Sequence, residues 1–149
     1  MIADPMQQAL AEAEAAAARG EIPVGAVVTD PNGVILAQAG NRTEETNDPT
    51  AHAEMLALRA AATLRGNPRL PDCDLIVTLE PCPMCAHAIS LFRIRRLIFG
   101  AYDPKGGGVD HGARVFGASS CHHHPEVIGG VRETDAATLL HDFFRGKRQ

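Results

Sequence analysis

Apolar and polar positions recur with different periods along the chain, and the changes of period divide it into elements. Asp4, followed by Pro5 and then Gln7, reads as a helix start, after which Met6, Ala9, Leu10, Ala13 and Ala17 recur at helical spacing as far as Gly20. Val24 to Thr29 and Val34 to Ala39 are β-rich runs joined through Asp30, Pro31, Asn32 and Gly33, which predicts a hairpin. A polar loop from Asn41 to Pro49 leads to a second helical stripe, Ala51, Met55, Leu58 and Ala62, ended by Gly66, Asn67 and Pro68. Leu75 to Leu79 reads as a buried strand stopping at Glu80, Pro81 to Phe92 resumes a helical pattern, and Leu97 to Phe99 is a further strand. Strand, helix and strand in that order imply a crossover with parallel pairing. The sheet is therefore expected to be mixed, with helices over both faces.

Beyond Ala101 the pattern weakens. Residues 101–125 show little periodicity and contain Gly106, Gly107 and Gly108, which reads either as a functional loop or as one hiding a short helix. A brief strand near Val127 to Val131 precedes a last helix whose Ala136, Leu139, Leu140, Phe143 and Phe144 trace one apolar face before Gly146. There are no repeats, linkers or low-complexity segments.

Composition narrows the class. At 149 residues, with 45 % hydrophobic and 21 % charged positions, the chain is expected to form one folded domain over residues 1–149. Its start carries Asp4, Glu12 and Glu14 among alanines, so no secretory signal is expected, and no apolar run reaches membrane-spanning length. A cytoplasmic protein is the expectation. The net charge of -4 argues against gripping nucleic acid over a large surface. Two local basic clusters stand out, Arg93 with Arg95 and Arg96, and Arg145 with Lys147 and Arg148. Four cysteines without an export signal point to metal ligation or catalysis rather than to disulfides.

The chemistry concentrates in two short motifs, His52-Ala53-Glu54 at the start of the second helix and Pro81-Cys82-Pro83-Met84-Cys85 between a strand and the third helix. Residues two apart do not face each other along a helix, so His52 and Glu54 reach one point only if it lies beyond the first turn. Cys82 and Cys85 likewise open a helix, where Pro83 suits the first turn and the positive end of the dipole favours thiolates. Three protein ligands would leave a fourth tetrahedral position for water, as in a catalytic zinc site. Zinc lowers the pKa of such a water to about 7. Glu54, near the metal but not on it, would carry protons from that water to a ring nitrogen and to the departing amine. His-x-Glu with a later Pro-Cys-x-x-Cys resembles the signature of zinc-dependent nucleobase deaminases.

The resemblance extends past the motifs. Ile22 to Val28, Asn41 and Arg42, Asp48 to Glu54, Val77 to Cys85, Arg93 to Asp103, and Leu139 to Arg148 with its paired Phe and basic tail are similar to the bacterial tRNA-specific adenosine deaminases, over nearly the whole chain. That resemblance implies a three-layer α/β/α cytidine-deaminase-like fold with a mixed five-stranded sheet, one zinc ion per subunit, a homodimer, and a tRNA anticodon stem-loop whose wobble adenosine becomes inosine. It implies that His52, Cys82 and Cys85 hold zinc and that Glu54 is catalytic. It also implies that Asn41 and Ala53 lie on the substrate side, with Asn41 bonding the flipped base, and that Asp103 and Lys105 face neighbouring nucleotides. An anticodon loop presents unpaired bases that splay out cheaply, so an acidic protein with a basic tail at Arg145, Lys147 and Arg148 suffices to bind it.

Plainer readings apply elsewhere. Cys73, Met84 and Ile89 read as packing residues, and Phe143 and Phe144 sit at core spacing rather than as stacking platforms. Cys121 to His124 are consecutive and aim poorly at a single ion, so no second metal site is expected. The glycine run reads as a mobile turn. Three rivals remain at this level. One is a deaminase of free nucleobases or nucleosides, of guanine or cytosine type. Another is a noncatalytic zinc module closed by Cys121 or His122, and the last is a thiol redox protein.

Overall fold

The computed structural model describes residues 4–147. Helix α1 spans Pro5–Ala18, and the side chain of Asp4 caps it by accepting the Met6 N–H at 3.1 Å. Strands β1 (Gly25–Thr29) and β2 (Ile35–Gly40) form the expected hairpin. Its turn is closed by the Asp30 carboxylate, which accepts from the N–H groups of Asn32 and Val34. The polar stretch after it is not all loop, because Thr43–Thr46 makes a one-turn helix, α2. Then follow α3 (Ala53–Arg65), β3 (Asp74–Leu79), α4 (Pro83–Leu91), β4 (Arg96–Ala101), β5 (Glu126–Ile128) and α5 (Glu133–Lys147).

The strands form a single sheet in the order β2-β1-β3-β4-β5, with β1 antiparallel to both β2 and β3, and β3, β4 and β5 parallel. Side chains alternate across it. Ala26, Val28, Leu75, Val77, Leu97 and Phe99 face a core shared with α3 and α4, while Val27 and Ile76 pack with Met6, Leu10 and Ala136 from α1 and α5. Period-2 alternation in β1, β3 and β4 thus supplies both cores, which is the physical content of three layers.

This topology brings the carboxyl ends of β2, β3 and β4 and the start of β1 to the same edge, and the candidate site lies there. The opposite edge is sealed by ion pairs. Asp74 receives two hydrogen bonds from the Arg95 guanidinium at 2.9 Å each, and Arg96 reaches Glu126 at 3.3 Å. Arg93 turns back onto the Ser90 carbonyl. This basic cluster is therefore engaged within the fold, away from the site.

One expectation is refined and one is corrected. Residues 101–125 contain only a short 3-10 turn, Val115–Gly117, yet they are stitched to α4. Cys121 lies 3.2 Å from the Ser90 hydroxyl, and His123 Nε2 lies 2.7 Å from the Ile94 carbonyl. The apolar face of α5 does not continue to its end, since Phe143 is half-buried and Phe144 is 44 % exposed, edge-on to Phe143. Past Leu140 the helix has run beyond the sheet it could pack on, and sequence spacing carries no information on where a partner surface stops.

The loop that delivers Asn41 and His52 to the site is held by Glu21, which is 1 % exposed. Its carboxylate accepts from the N–H groups of Glu44 (3.0 Å) and Glu45 (2.8 Å) and from the Thr43 hydroxyl. Burial alone would raise the carboxyl, but these donors hold it below the ordinary 4.5. A depressed folded-state value means stability that is present above about pH 4.5 and fades as pH falls through the folded-state value. Glu21→Gln is expected to lose about 1–3 kcal/mol of unfolding free energy near neutral pH. In urea denaturation the gap between the two proteins should narrow steadily as pH is lowered below about 4.5.

Candidate active site

His52 and Cys82 are the N-cap residues of α3 and α4, both with extended backbone and neither using its side chain to cap its own helix. The side chains are thus free to point past the helix starts, as the motif spacing requires. Cys82 Sγ lies 3.6 Å and Cys85 Sγ 3.4 Å from His52 Nδ1, and one donor atom from each of the three residues falls within 4.8 Å of the others. Among the described residues no other histidine, cysteine or acid joins this group. One imidazole nitrogen and two sulfurs at such separations suit a small borderline-soft cation that prefers tetrahedral N/S ligation, namely zinc, with one corner left for water. Cys121 is buried against Ser90 and His123 is bonded to Ile94, so the 121–124 run neither closes the tetrahedron nor forms a second centre.

The three donor side chains set one another's protonation. A hydrogen bond from Cys85 pulls the Cys82 thiol down to about 4 against the opposing effect of burial, with help from His52. The same pairing, together with burial, pushes Cys85 up. Contact with Cys82 raises His52, with burial opposing and Glu54 assisting. Glu54 sits on the first turn of α3 and is 4 % exposed. Burial pushes its carboxyl up to about 7, against the pull of a backbone N–H and of His52. That value suits a group that must both take and release a proton near neutrality.

His52, Glu54 and Cys82 border a cavity of about 230 Å³ lined also by Ile22, Val24, Asn41, Leu79, Glu80, Asp103 and Gly106. Asn41 has a structural task there, because its Oδ1 accepts the Ala53 N–H at 2.8 Å and so tethers the start of α3. Its amide N–H groups remain to donate, and Asn41 lines the cavity. Ala53 lies directly behind that contact, its N–H donating to Asn41 and its methyl fully buried, so it seats Asn41. Asp103 lines the cavity, and its Oδ1 accepts from the N–H groups of Lys105 and Gly106. Lys105 is exposed on that turn.

The chain matches the cytidine and deoxycytidylate deaminase zinc-binding region over residues 2–101. It is 53 % identical to a tRNA-specific adenosine deaminase of Agrobacterium fabrum, covering 96 % of this chain and 93 % of that one. To the tRNA-specific adenosine deaminase of Bacillus subtilis it is 42 % identical over 97 % and 89 % of the two chains. A solved structure from work on A-to-I editing by tRNA:A34 deaminases at the wobble position superposes with a TM-score of 0.89, at 52 % identity, covering 91 % of this chain and 98 % of that one.

The chain belongs to this zinc-binding deaminase family. The deaminase fold accounts for the five-stranded mixed sheet and for both motifs. A thiol redox protein and a closed structural zinc module are thereby set aside.

Sequence reasoning missed Glu80 and Glu21, buried acids that shape the two loops bordering the deaminase cavity. The sequence carried no signal for Glu80, since a charged residue at the end of a strand ordinarily faces solvent. At the C terminus, Arg145 and Lys147 are exposed, with the Lys147 ammonium 5.2 Å from the Phe143 ring centre, while Arg148 lies outside the described residues. Because Asn41 holds the helix that carries Glu54, Asn41→Ala is expected to lower unfolding free energy by about 1–3 kcal/mol through the orphaned Ala53 N–H. Urea denaturation checks this, and a variant as stable as the parent would show that the tether is dispensable.

Proposed function

We propose that this deaminase converts adenosine to inosine at the wobble position of a tRNA anticodon loop, acting in the cytoplasm as a homodimer. The observation that carries the reading is the buried Glu54 beside the His52, Cys82 and Cys85 group, in a cavity walled by Asn41 and the 103–106 turn. High identity to tRNA-specific adenosine deaminases across nearly the whole chain supports the choice of substrate. Unpaired anticodon bases can enter a cavity of this size singly, without deep basic grooves.

His52, Cys82 and Cys85 would hold the zinc, which supplies Lewis acidity that makes water nucleophilic at neutral pH. Ile22, Val24 and Leu79 give the adenine ring apolar walls and displace bulk water. Asn41, limited to donating, suits an acceptor nitrogen on the purine edge. Glu54 takes a proton from the water as its oxygen bonds to the ring carbon bearing the amine, and passes that proton to the adjacent ring nitrogen. It then assists the second proton onto the amine, the carbon–nitrogen bond breaks, and inosine and ammonia leave. One carboxyl serves both directions because burial has placed its affinity near neutrality.

Asp103 and Lys105 are suited to touching the nucleotide beside the target base, and the exposed Arg145 and Lys147 to phosphates. The homodimer reading rests on an apolar groove beside the site, where Met84 and Leu91 of α4 are 36 % and 61 % exposed and meet Met55, His87 and Val115. Sedimentation of the zinc-loaded protein at micromolar concentration should give twice the chain mass, and a monomer would remove this part of the reading. The reaction itself is tested by ammonia release from an anticodon stem-loop against free adenosine, guanine and cytosine. Turnover is expected only with the stem-loop, and Glu54→Gln should lower kcat by roughly 10²–10⁴ with zinc retained at one per chain. Turnover confined to the free compounds would overturn the substrate assignment.

A further inference from the structure

The glycine run and the acid that precedes the Pro-Cys motif play no part in the proton transfers, and they meet. Glu80 follows β3 and is 1 % exposed. Its Oε1 accepts the Asp103 N–H at 3.0 Å and faces His111 Nδ1 at 2.8 Å. Its Oε2 accepts the N–H groups of Val109 (3.2 Å), Asp110 (2.9 Å) and His111 (3.1 Å). Four backbone donors and one imidazole fill the acceptor sites of a carboxylate, so Glu80 has no free position from which to relay a proton. Its effect can only be exerted through what it holds.

What it holds is a wall of the cavity. Residues 103–111 contribute Asp103 and Gly106 to the lining, and the stretch is pressed onto both the carboxylate and the start of α4. A Cβ at Gly107 would strike Glu80 Oε2, and one at Gly108 would lie 2.6 Å from the Pro83 nitrogen. The Gly108 N–H donates to the Pro81 carbonyl at 2.8 Å, and the Gly108 carbonyl accepts from Val115 at 2.8 Å. The glycine run is therefore neither a mobile turn nor a phosphate cradle. Its missing side chains let the wall close on Glu80.

We propose that Glu80 is a positioning residue for substrate: by gathering the amides of 103 and 109–111 it builds the wall that fixes the nucleotide beside the target base. The inference rests on the RNA reading of the cavity given above. It requires a charged, two-oxygen acceptor, because an amide at this place offers one acceptor and turns two N–H donors toward other N–H groups.

Zinc-loaded wild type, Glu80→Gln, Glu80→Asp and Gly107→Ala are to be compared by steady-state deamination of an anticodon stem-loop and by hydrogen exchange. For Glu80→Gln, KM should rise roughly tenfold or more while kcat stays within roughly threefold, with zinc content unchanged. Exchange should quicken over 103–111 and not over β3. Gly107→Ala should reproduce this with the carboxylate intact, and it carries the test if Glu80→Gln fails to fold. Glu80→Asp should fall between wild type and Glu80→Gln. Faster exchange with KM unchanged would reduce Glu80 to a purely structural role, and a fall in kcat alone would make it catalytic. Either result overturns the proposal. Wild-type turnover decides the RNA reading separately: turnover of a free base alone overturns that reading and this proposal with it, whereas stem-loop turnover with KM unmoved by Glu80→Gln overturns this proposal alone.

Discussion

Two helices that begin at the same point in space are the constraint on which everything else in this protein depends. His52 and Cys82 stand at the N-caps of α3 and α4. An N-cap is where a side chain leaves the cylinder of the helix and where unpaired N–H groups favour negative charge. One such position gives a thiolate or an imidazole with room to move. Two of them, held face to face because both helices pack on the same side of one sheet, give a donor set whose atoms are already within bonding distance of a common centre. The antiparallel β1 and the parallel β3 and β4 are what set the helices down at that spacing.

Around this centre three nearly inaccessible glutamates differ in the depth at which each carboxyl lies and in the donors aimed at it. Glu54 lies deepest and is pushed up to about 7, into the range where it can exchange protons. Glu21 and Glu80 are also closed off from solvent, and the donors they collect hold both below the ordinary carboxylate range. Burial favours the neutral form, while hydrogen bonds to the anion favour the charged one. The same side chain thus becomes a proton carrier or a fixed anchor according to how the backbone around it is arranged.

The two anchors also explain how an irregular segment can belong to a precise site. Neither the 41–52 loop nor the 103–111 stretch has a ladder of its own to satisfy its amides, and a buried carboxylate supplies the missing acceptors for each.

Read as a one-dimensional pattern, the chain already contained its strands, its main helices, the mixed sheet, and the meeting of His52, Cys82 and Cys85 beside Glu54. Hydrophobic periods and capping residues are local, and a metal motif survives as short fixed spacings. Three things were not legible. The end of the packed face of α5, short of Phe144, depends on where the sheet stops. The double duty of Asn41 depends on Ala53 arriving beside it. The collection of distant amides by Glu80 depends on a loop returning to it. Each is a meeting between residues far apart in sequence, and such meetings leave no periodic trace. Only the tertiary structure decides them, because burial and hydrogen-bond satisfaction are properties of neighbours in space.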